Sequence, residues 1–586
     1  MFRNKYKQAR WKGLRYTALA AALAGSLLAS EGALAAKIGS SSDWDINWDN
    51  TVTYNLGVRA TGIDSKIGNN PNYDDGDYKF GSSGDVVTNR LSLLSEFTVS
   101  YQSLVGFKVS GSTWKDFAYN SDDKTNPGVF APGGGGLPPV TYKELRAYPG
   151  GSYSSYTKRF YEQGGQLLDA FVFYNPQVGN MPMYFKVGQF TEYWGNSLFF
   201  PYQGISVSQG AVDLIRALAT PGTQTKELLL PRQQVSVTAQ ITPEVSLSGQ
   251  YAYAWSPNRE PTGGTYLGPY DFYAEGPSNL FAAVLPGQLL GLKGGYVPVN
   301  VPQGPSTTPP DTHANFGVKV GWTPTFMAGA MGFYFRQFDE TQPWLLADFN
   351  RRGLPTDYHL SYNEHAKLYG YSLDMTFGSV STGFEASYRR NTALSSSQNT
   401  KVLSEPEGAK GNVFNLIANA IVPLSRSALW DTGTLTAEMS YTQLLSVTQN
   451  SPLFNGVDYA GCPTHDKWNG CSTKQYVGLA VAFQPQWLQV FPGVDLSTPI
   501  SDTFGVYGNN PINGTTSAQQ GTNNLSVGVQ ANFRQRATLT LAYNAYFGRP
   551  NVESTSPSGL KYYSSGNGLY SLDDRRWLSL TFQTSF

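Results

Sequence analysis

Trp44-Asp-Ile-Asn-Trp-Asp-Asn-Thr-Val-Thr-Tyr-Asn-Leu-Gly-Val-Arg59 decides the reading of this chain. Ile46, Trp48, Asn50, Val52, Tyr54, Leu56 and Val58 fall on one parity, and Asp45, Asn47, Asp49, Thr51, Thr53, Asn55, Gly57 and Arg59 on the other. Successive side chains of a β-strand point to opposite faces, so a period of two yields one apolar row and one polar row. A strand half-buried in a water-soluble sheet does this over about 5 or 6 residues. The run here is longer, and covers the roughly 9 to 11 tilted residues with which a strand crosses a bilayer.

The same alternation recurs along the chain. Further strands are predicted at 89–101, 105–114, 166–174, 182–193, 232–242, 244–255, 314–322, 326–338, 365–377, 380–390, 411–422, 433–445, 474–484, 487–500, 523–533, 536–547 and 574–586, which makes eighteen in all. Short links at Gln102–Ser103, Thr242–Pro243, Thr323–Pro324 and Gly378–Ser379 alternate with long ones, among them 115–165 and 256–313. Outer-membrane barrels have that asymmetry, with short periplasmic turns and long extracellular loops. The last strand ends Leu578, Leu580, Phe582, Thr584 and Phe586 on one parity, which resembles the terminal aromatic signal that such barrels present to their assembly machinery. The predicted fold is all-β: a single transmembrane antiparallel β-barrel of about 18 strands, within a range of 16–20.

Composition excludes the main alternatives. The 586 residues are 40% hydrophobic and 14% charged, with 14% aromatic residues, 62 Gly and 35 Pro. A soluble globular chain carries about 25% charged residues, and a helical membrane protein needs runs of about 18 apolar residues; neither pattern is present beyond the N-terminus. Mean hydropathy is −0.31. Fixed-period repeats of a propeller or solenoid are absent from the sequence.

Residues 1–35 read as a secretory signal peptide, with a basic segment from Arg3 to Arg15, an apolar stretch from Tyr16 to Leu28 and the small-x-small site Ala33-Leu34-Ala35. The mature barrel is then 36–586. Cleavage removes six basic residues and one acid, leaving 36 basic against 41 acidic side chains and a charge of −5. That balance gives no footprint for nucleic acid. Localisation in the outer membrane of a Gram-negative bacterium follows, with outer-membrane lipids as neighbours and the assembly machinery engaging the strand that ends at Phe586.

Charged residues on the inward parity, namely Asp45, Asp49, Arg59, Arg90, Glu96, Glu385, Arg389 and Glu438, belong in the lumen because lipid exposure at mid-depth costs several kcal/mol. Trp44, Trp48, Tyr54, Tyr101, Trp114, Phe335, Tyr388, Tyr441, Tyr543, Phe547 and Trp577 read as interfacial girdles. Three loop segments stand out. Residues 205–231 contain a short predicted helix, Ala211–Ala219, a stop at Pro221-Gly222 and then Lys226-Glu227, and read as a lumen-folded segment. Phe281 to Leu292 is strongly apolar and reads as an exposed loop in want of a partner. Ala131 to Pro139, with four consecutive glycines, reads as a mobile loop. Candidate binding residues are Trp194, Asp213, Arg216, Lys226, Glu227, Phe281 and Leu285.

Cys462 and Cys471 sit in a turn-rich stretch of an exported chain and are expected to form a disulfide; a small metal site with His465 is the lesser alternative. Asp74, Asp75 and Asp77 lack the spacing of a calcium loop and read as a solvated extracellular loop, with a cation site left open. His359-Leu-Ser361, with Asn363, has the i, i+2 spacing of a barrel phospholipase pair but lies in a predicted loop. No enzyme activity, cofactor or metal is expected.

Leu168-Asp-Ala-Phe171, Lys186-Val-Gly-Gln189, Trp194-Gly195, Val212-Asp213, Pro221-Gly222, Lys226-Glu227, Pro231 and Val490-Phe-Pro-Gly-Val-Asp-Leu-Ser-Thr-Pro499 carry a family resemblance. Together they resemble an uncharacterised proteobacterial outer-membrane family, named only as a domain of unknown function. The resemblance implies a barrel found near a periplasmic partner and a hydrophobe-exporting inner-membrane pump. Transport of a hydrophobic or amphipathic small molecule across the outer membrane is therefore the leading expectation. A general or solute-selective diffusion porin is the alternative, and a barrel partner of an envelope lipid or hydrophobe trafficking system is the third.

Overall fold

A computed structural model describes residues 36–40, 43–221, 223, 225–311, 315–397, 406–514 and 518–586. The expected signal peptide, 1–35, and Gly222 lie outside the described residues.

Eighteen antiparallel positions close into one barrel. They are β1 (Trp44–Arg59), β2 (Val86–Tyr101), β3 (Val105–Asp116), β4 (Gln163–Tyr174), β5 (Met181–Phe190), β6 (Arg232–Gln240), β7 (Val245–Ala252), β8 (Asn315–Trp322) and β9 (Gly329–Phe338). The second half comprises β10 (Ala366–Phe377), β11 (Val380–Ala393), β12 (Lys410–Pro423), β13 (Thr432–Gln449), β14 (Gln475–Phe491), β15 (Val494–Ser497, resuming as Ile500–Tyr507), β16 (Asn523–Phe533), β17 (Ala537–Phe547) and β18 (Trp577–Ser585). Each position pairs with the next, and β18 pairs with β1 in the register Val52↔Thr584, Leu56↔Leu580 and Arg59↔Trp577. Phe586 and Asn50 exchange backbone hydrogen bonds of 2.8 and 2.9 Å, and the short strand Ala36–Ser40 then covers the lower edge of β1. A sheet closed on itself has no free edge, the condition for strands to cross lipid.

The two faces differ as the parity of β1 requires. Thr51, Thr53, Asn55 and Arg59 are buried inward, whereas Leu91, Val109, Val172, Val318, Phe333 and Leu541 are exposed on the outside. An apolar exterior around a polar interior is the inverse of a soluble fold and matches the bilayer, so the barrel resides in the outer membrane. No described helix is long and apolar enough to cross a membrane.

Ala36, Phe586 and the short turns among the described residues lie at one end, the periplasmic one. Gln102 and Ser103 form one of the tight turns, both with positive φ (50° and 55°), the geometry that matches strand twist. The expected break between 484 and 487 is displaced. β14 runs through Pro485 to Phe491, and the turn is Pro492-Gly493, where Gly493 supplies φ 77°. Pro499 interrupts β15 instead, because it has no N–H for the ladder.

Long connections crowd the other end and pack into the mouth. Phe80, Tyr119, Tyr148, Tyr153, Phe160 and Tyr266 come from three of them and meet the wall at Trp114 and Trp577. These two tryptophans are buried inward, not at the headgroup girdle as expected; Trp577 shares its parity with Ser579 and Thr581, while Leu578 faces out. Trp44 and Trp48 are exposed as a girdle requires.

Three further expectations change. The segment from Phe281 is a hairpin, Asn279–Pro286 with Tyr296–Pro302, and Phe281 is buried edge-to-face on Phe130; Leu289 and Leu290 at its tip remain exposed. The glycine run 133–136 packs backbone to backbone on Gly294 and Gly295, where a Cβ on Gly135 would approach Gly294 N to 2.5 Å. Asp74, Asp75 and Asp77 are not solvated: they lie on the helix Asp74–Lys79 and all three are buried, because the neighbouring loops close over them. Cys462 and Cys471 form a disulfide.

Candidate functional site: a strap across the lumen

Between β5 and β6 the chain turns inward over 191–231. Its first half is held by the wall of β9 to β13. Glu385 on β11 accepts hydrogen bonds from the backbone N–H groups of Asn196, Ser197 (2.9 Å) and Ile205 (2.7 Å). Glu438 on β13 accepts from Leu198 N (2.6 Å), Phe199 N and Phe200 N (both 2.8 Å) and the Ser197 hydroxyl (3.2 Å). Arg389 donates to Gly204 O (2.9 Å), and Arg336 donates to both Ile205 O and Val207 O (2.7 Å each). Four buried wall charges thus bind the strap chiefly through its backbone, while Phe200 and Ile205 bury their side chains beside them. Such charge-assisted bonds are the strong ones in a water-poor interior. Trp194, one of the candidate residues, is buried against Tyr334 at 6.0 Å between ring centres.

The second half reaches the opposite wall. Val212 pairs with Leu229, and the short helices Leu214–Ala219 and Thr225–Leu228 lie between, so the helix expected at 211–219 begins only at Leu214. Asp213 caps it, accepting from Arg216 N at 3.0 Å, and binds the Arg259 guanidinium at 2.9 Å. Arg216 pairs with Glu227, donates to Ser112 on β3 (3.1 Å) and lies 4.4 Å from the centre of the Trp114 ring. Lys226 pairs with Glu96 on β2, which also holds Lys108 at 2.9 Å. Pro221 O accepts from Asn55 on β1 (2.9 Å) and Thr581 on β18 (3.1 Å). β11 and β1 stand about half a circumference apart in the ring, so the segment spans the lumen.

Asp213, Arg216 and Glu227 therefore meet with Arg259 in one ionic group, and Lys226 belongs to a second one with Glu96 and Lys108. Phe281 and Leu285 stand apart, in the extracellular hairpin. Glu385, Glu438 and Arg389 were legible as lumen charges; their role as anchors was not, since their partners are backbone groups about 180 to 240 residues away.

Against the strap lies a small cavity of about 20 Å³ between Arg90, Asp116, Tyr161, Thr220, Tyr266 and Trp577, room for about one water. Below it, inward positions such as Asp45 and Thr434 are exposed. The lumen is thus a periplasmic vestibule under a strap and an aromatic cap.

His359 and Ser361 lie on a strand of an extracellular hairpin, Pro343–Phe349 with Pro355–Tyr362, not in a loop. The Ser361 hydroxyl donates to Pro406 O, and His359 Nδ1 stands 3.7 and 3.8 Å from carboxylate oxygens of Asp357 and Asp348. His359 is thus not paired with Ser361. It forms with the two aspartates one of two carboxylate-rich groups among the described residues; the other is Asp74, Asp75 and Asp271.

The profile of a family described as "Protein of unknown function (DUF1302)" matches residues 16–586. No curated protein matches. Solved structures to which the chain is weakly similar include OpdK of Pseudomonas aeruginosa with vanillate, at 9% identity and TM-score 0.39, covering 94% of this chain and 100% of that one. OccAB4 of Acinetobacter baumannii gives 8% and 0.40, covering 92% and 98%. The outer membrane channel DcaP of the same organism gives 11% and 0.33, covering 93% and 99%.

Proposed function

We propose, from the premise that this chain belongs to the DUF1302 family, that it is a gated outer-membrane channel selective for a hydrophobic or amphipathic small molecule. The observation that carries this reading is the strap over 191–231, bound to opposite walls of the lumen. A barrel meant only for structural support would gain nothing from buried charges directed at a crossing segment, whereas a conduit needs a barrier that its solute displaces. Against the strap, Tyr119, Tyr161, Tyr266 and Trp577 line the small space beside Arg90 and Asp116, and displacement of the strap would present their aromatic faces to a molecule with an apolar body and a polar end. The apolar tip at Leu289 and Leu290 supports the same solute class.

Conductance in a planar bilayer tests it. The intact protein is expected to conduct little, and replacement of 191–231 by a short Gly/Ser linker is expected to open a large, steady conductance. Liposomes holding the intact protein should then take up an amphipathic aromatic solute faster than a sugar of equal size. The polar, open vestibule favours a second reading, a solute-selective diffusion porin. Large steady conductance of the intact protein would establish that reading and overturn the first. A periplasmic partner and an inner-membrane pump remain part of the proposal, docked at the vestibule end.

A further inference from the structure

Three extracellular connections meet at one buried acidic centre. The helix Asp74–Lys79, between β1 and β2, contributes Asp74 and Asp75; the connection between β7 and β8 contributes Asp271. Carboxylate oxygens of these three residues lie within 4.8 Å of one another, and the residues are 1%, 0% and 2% exposed. Asp123, from the connection between β3 and β4, is buried beside them.

The surrounding backbone orients this group. Asp74 Oδ2 accepts from Asn126 N (2.8 Å) and the Thr125 hydroxyl (2.5 Å), and Asp75 Oδ2 from Ala147 N (2.9 Å). Asp271 accepts from Asp75 N (2.9 Å) and Gly76 N (3.2 Å). After these bonds, Asp75 Oδ1 and both oxygens of Asp123 have no partner despite their burial. An unpaired buried carboxylate oxygen costs several kcal/mol, and here three lie in one region.

Lys79 and Arg146 act on Asp123, and Arg575 on Asp271, only through space, and none of the three makes an ion pair or hydrogen bond with these carboxylates. Lys79 is turned to Asn120 Oδ1 (2.6 Å) and to Asp122 O. Arg575 is engaged by Asp77 at 3.2 Å and by the carbonyls of Tyr73, Tyr266 and Gly268. Arg146 donates to Pro149 O at 3.0 Å. Without a further cation, burial and mutual repulsion push these carboxyls upward: Asp74 and Asp75 well above the usual range, Asp123 to about 8 and Asp271 to about 6.

We propose that Asp74, Asp75 and Asp271, with Asp123 beside them, bind one calcium ion that ties three extracellular loops into the cap of the barrel. Hard oxygen ligands without nitrogen or sulfur suit Ca²⁺ and Mg²⁺ over transition metals. Mg²⁺ keeps several of its waters, so a buried site supplied by the protein itself selects Ca²⁺, which takes 6 to 8 oxygens in flexible geometry. The site is independent of the solute that crosses the lumen, and its position gives the cap a dependence on external calcium.

The test uses the refolded full-length barrel, stripped with EDTA and dialysed, with Asp75→Asn and Asp271→Asn as single and double variants and Asp502→Asn on β15 as control. Calorimetric titration with CaCl₂ is expected to show one ion per chain, and Tb³⁺ emission sensitised by nearby tyrosines should be quenched by Ca²⁺. EDTA is expected to speed proteolysis of the loops at least tenfold in the parent and the control, and to change nothing in the double variant. If the carboxyls are instead simply protonated, the parent will bind no Ca²⁺ and ignore EDTA, and the proposal fails. It fails equally if the double variant, shown intact by its heat-modifiable migration, still binds one ion with parental affinity.

Discussion

Replacing Glu438 by alanine should release the lumen strap while leaving the barrel closed. In the folded protein this carboxylate accepts from three consecutive backbone N–H groups, Leu198 to Phe200, and from the Ser197 hydroxyl, and it also holds Asn419 Nδ2 at 3.0 Å. The alanine leaves four strap donors without that acceptor, the Phe200 N–H buried and the other three part-buried. At about 1 kcal/mol for each, the net value of an intramolecular hydrogen bond, the docked strap loses roughly 4 kcal/mol. Every 1.4 kcal/mol is tenfold, so the undocked population should rise by about three orders of magnitude. Single-channel recording should show this as a large increase in open events, and Glu438→Gln, which keeps one acceptor oxygen, should fall between. The wall loses no backbone ladder bond, so migration on unheated gels should stay that of a folded barrel. If Glu438→Ala forms an intact barrel whose conductance equals that of the parent, the strap is not the barrier and the reasoning fails.

At the other anchor, Arg216→Met removes the partner of Glu227 and Asp213 and should weaken docking by about 3 to 5 kcal/mol, seen as protease cleavage near 220. Trp577→Ala opens a cavity in the aromatic cap beside Trp114 and should cost about 3 to 5 kcal/mol, read as a lower heat-modification temperature. Reducing the Cys462–Cys471 disulfide, which spans nine residues, should destabilise its loop by about 2.5 kcal/mol without changing conductance; a change in conductance would place that loop in the gate. Glu260, buried in the connection between β7 and β8, has its carboxyl raised by burial to about 7. Because the folded value exceeds the unfolded one, the stabilisation is complete below about pH 4 and is lost as pH rises through 7, by up to roughly 3 kcal/mol. Glu260→Gln should flatten that pH dependence of cap proteolysis; an unchanged profile would exclude Glu260 as its source.

The barrel was legible because the bilayer imposes a period of two over a fixed length, and nearly every segment of that pattern is a strand. The boundary near 485 misled because proline usually ends a strand, whereas Pro492-Gly493 supplies the positive φ that a turn needs. Trp577 could have been placed inward from its parity with Ser579 and Thr581. No such local rule exists for the loops. Asp75 and Asp271 meet across 196 residues, and the fate of Asp74 to Asp77 depends on which loops close over them. The lumen charges were visible, but the partners of Glu385, Glu438 and Arg389 were not, since they bind the first half of the strap chiefly through main-chain atoms common to every sequence.

The meeting of β1 and β18 also bears on how the protein is made. Thr51 and Ser585 share a hydrogen bond across 534 positions, so the first strand waits for the last before the ring exists. Until then two long strand edges stand open, each a template for a stray chain, and closure is the slow kind of event expected of pairings so distant in sequence. Closure of the ring therefore comes last, when the strand Trp577–Ser585 meets Trp44–Arg59.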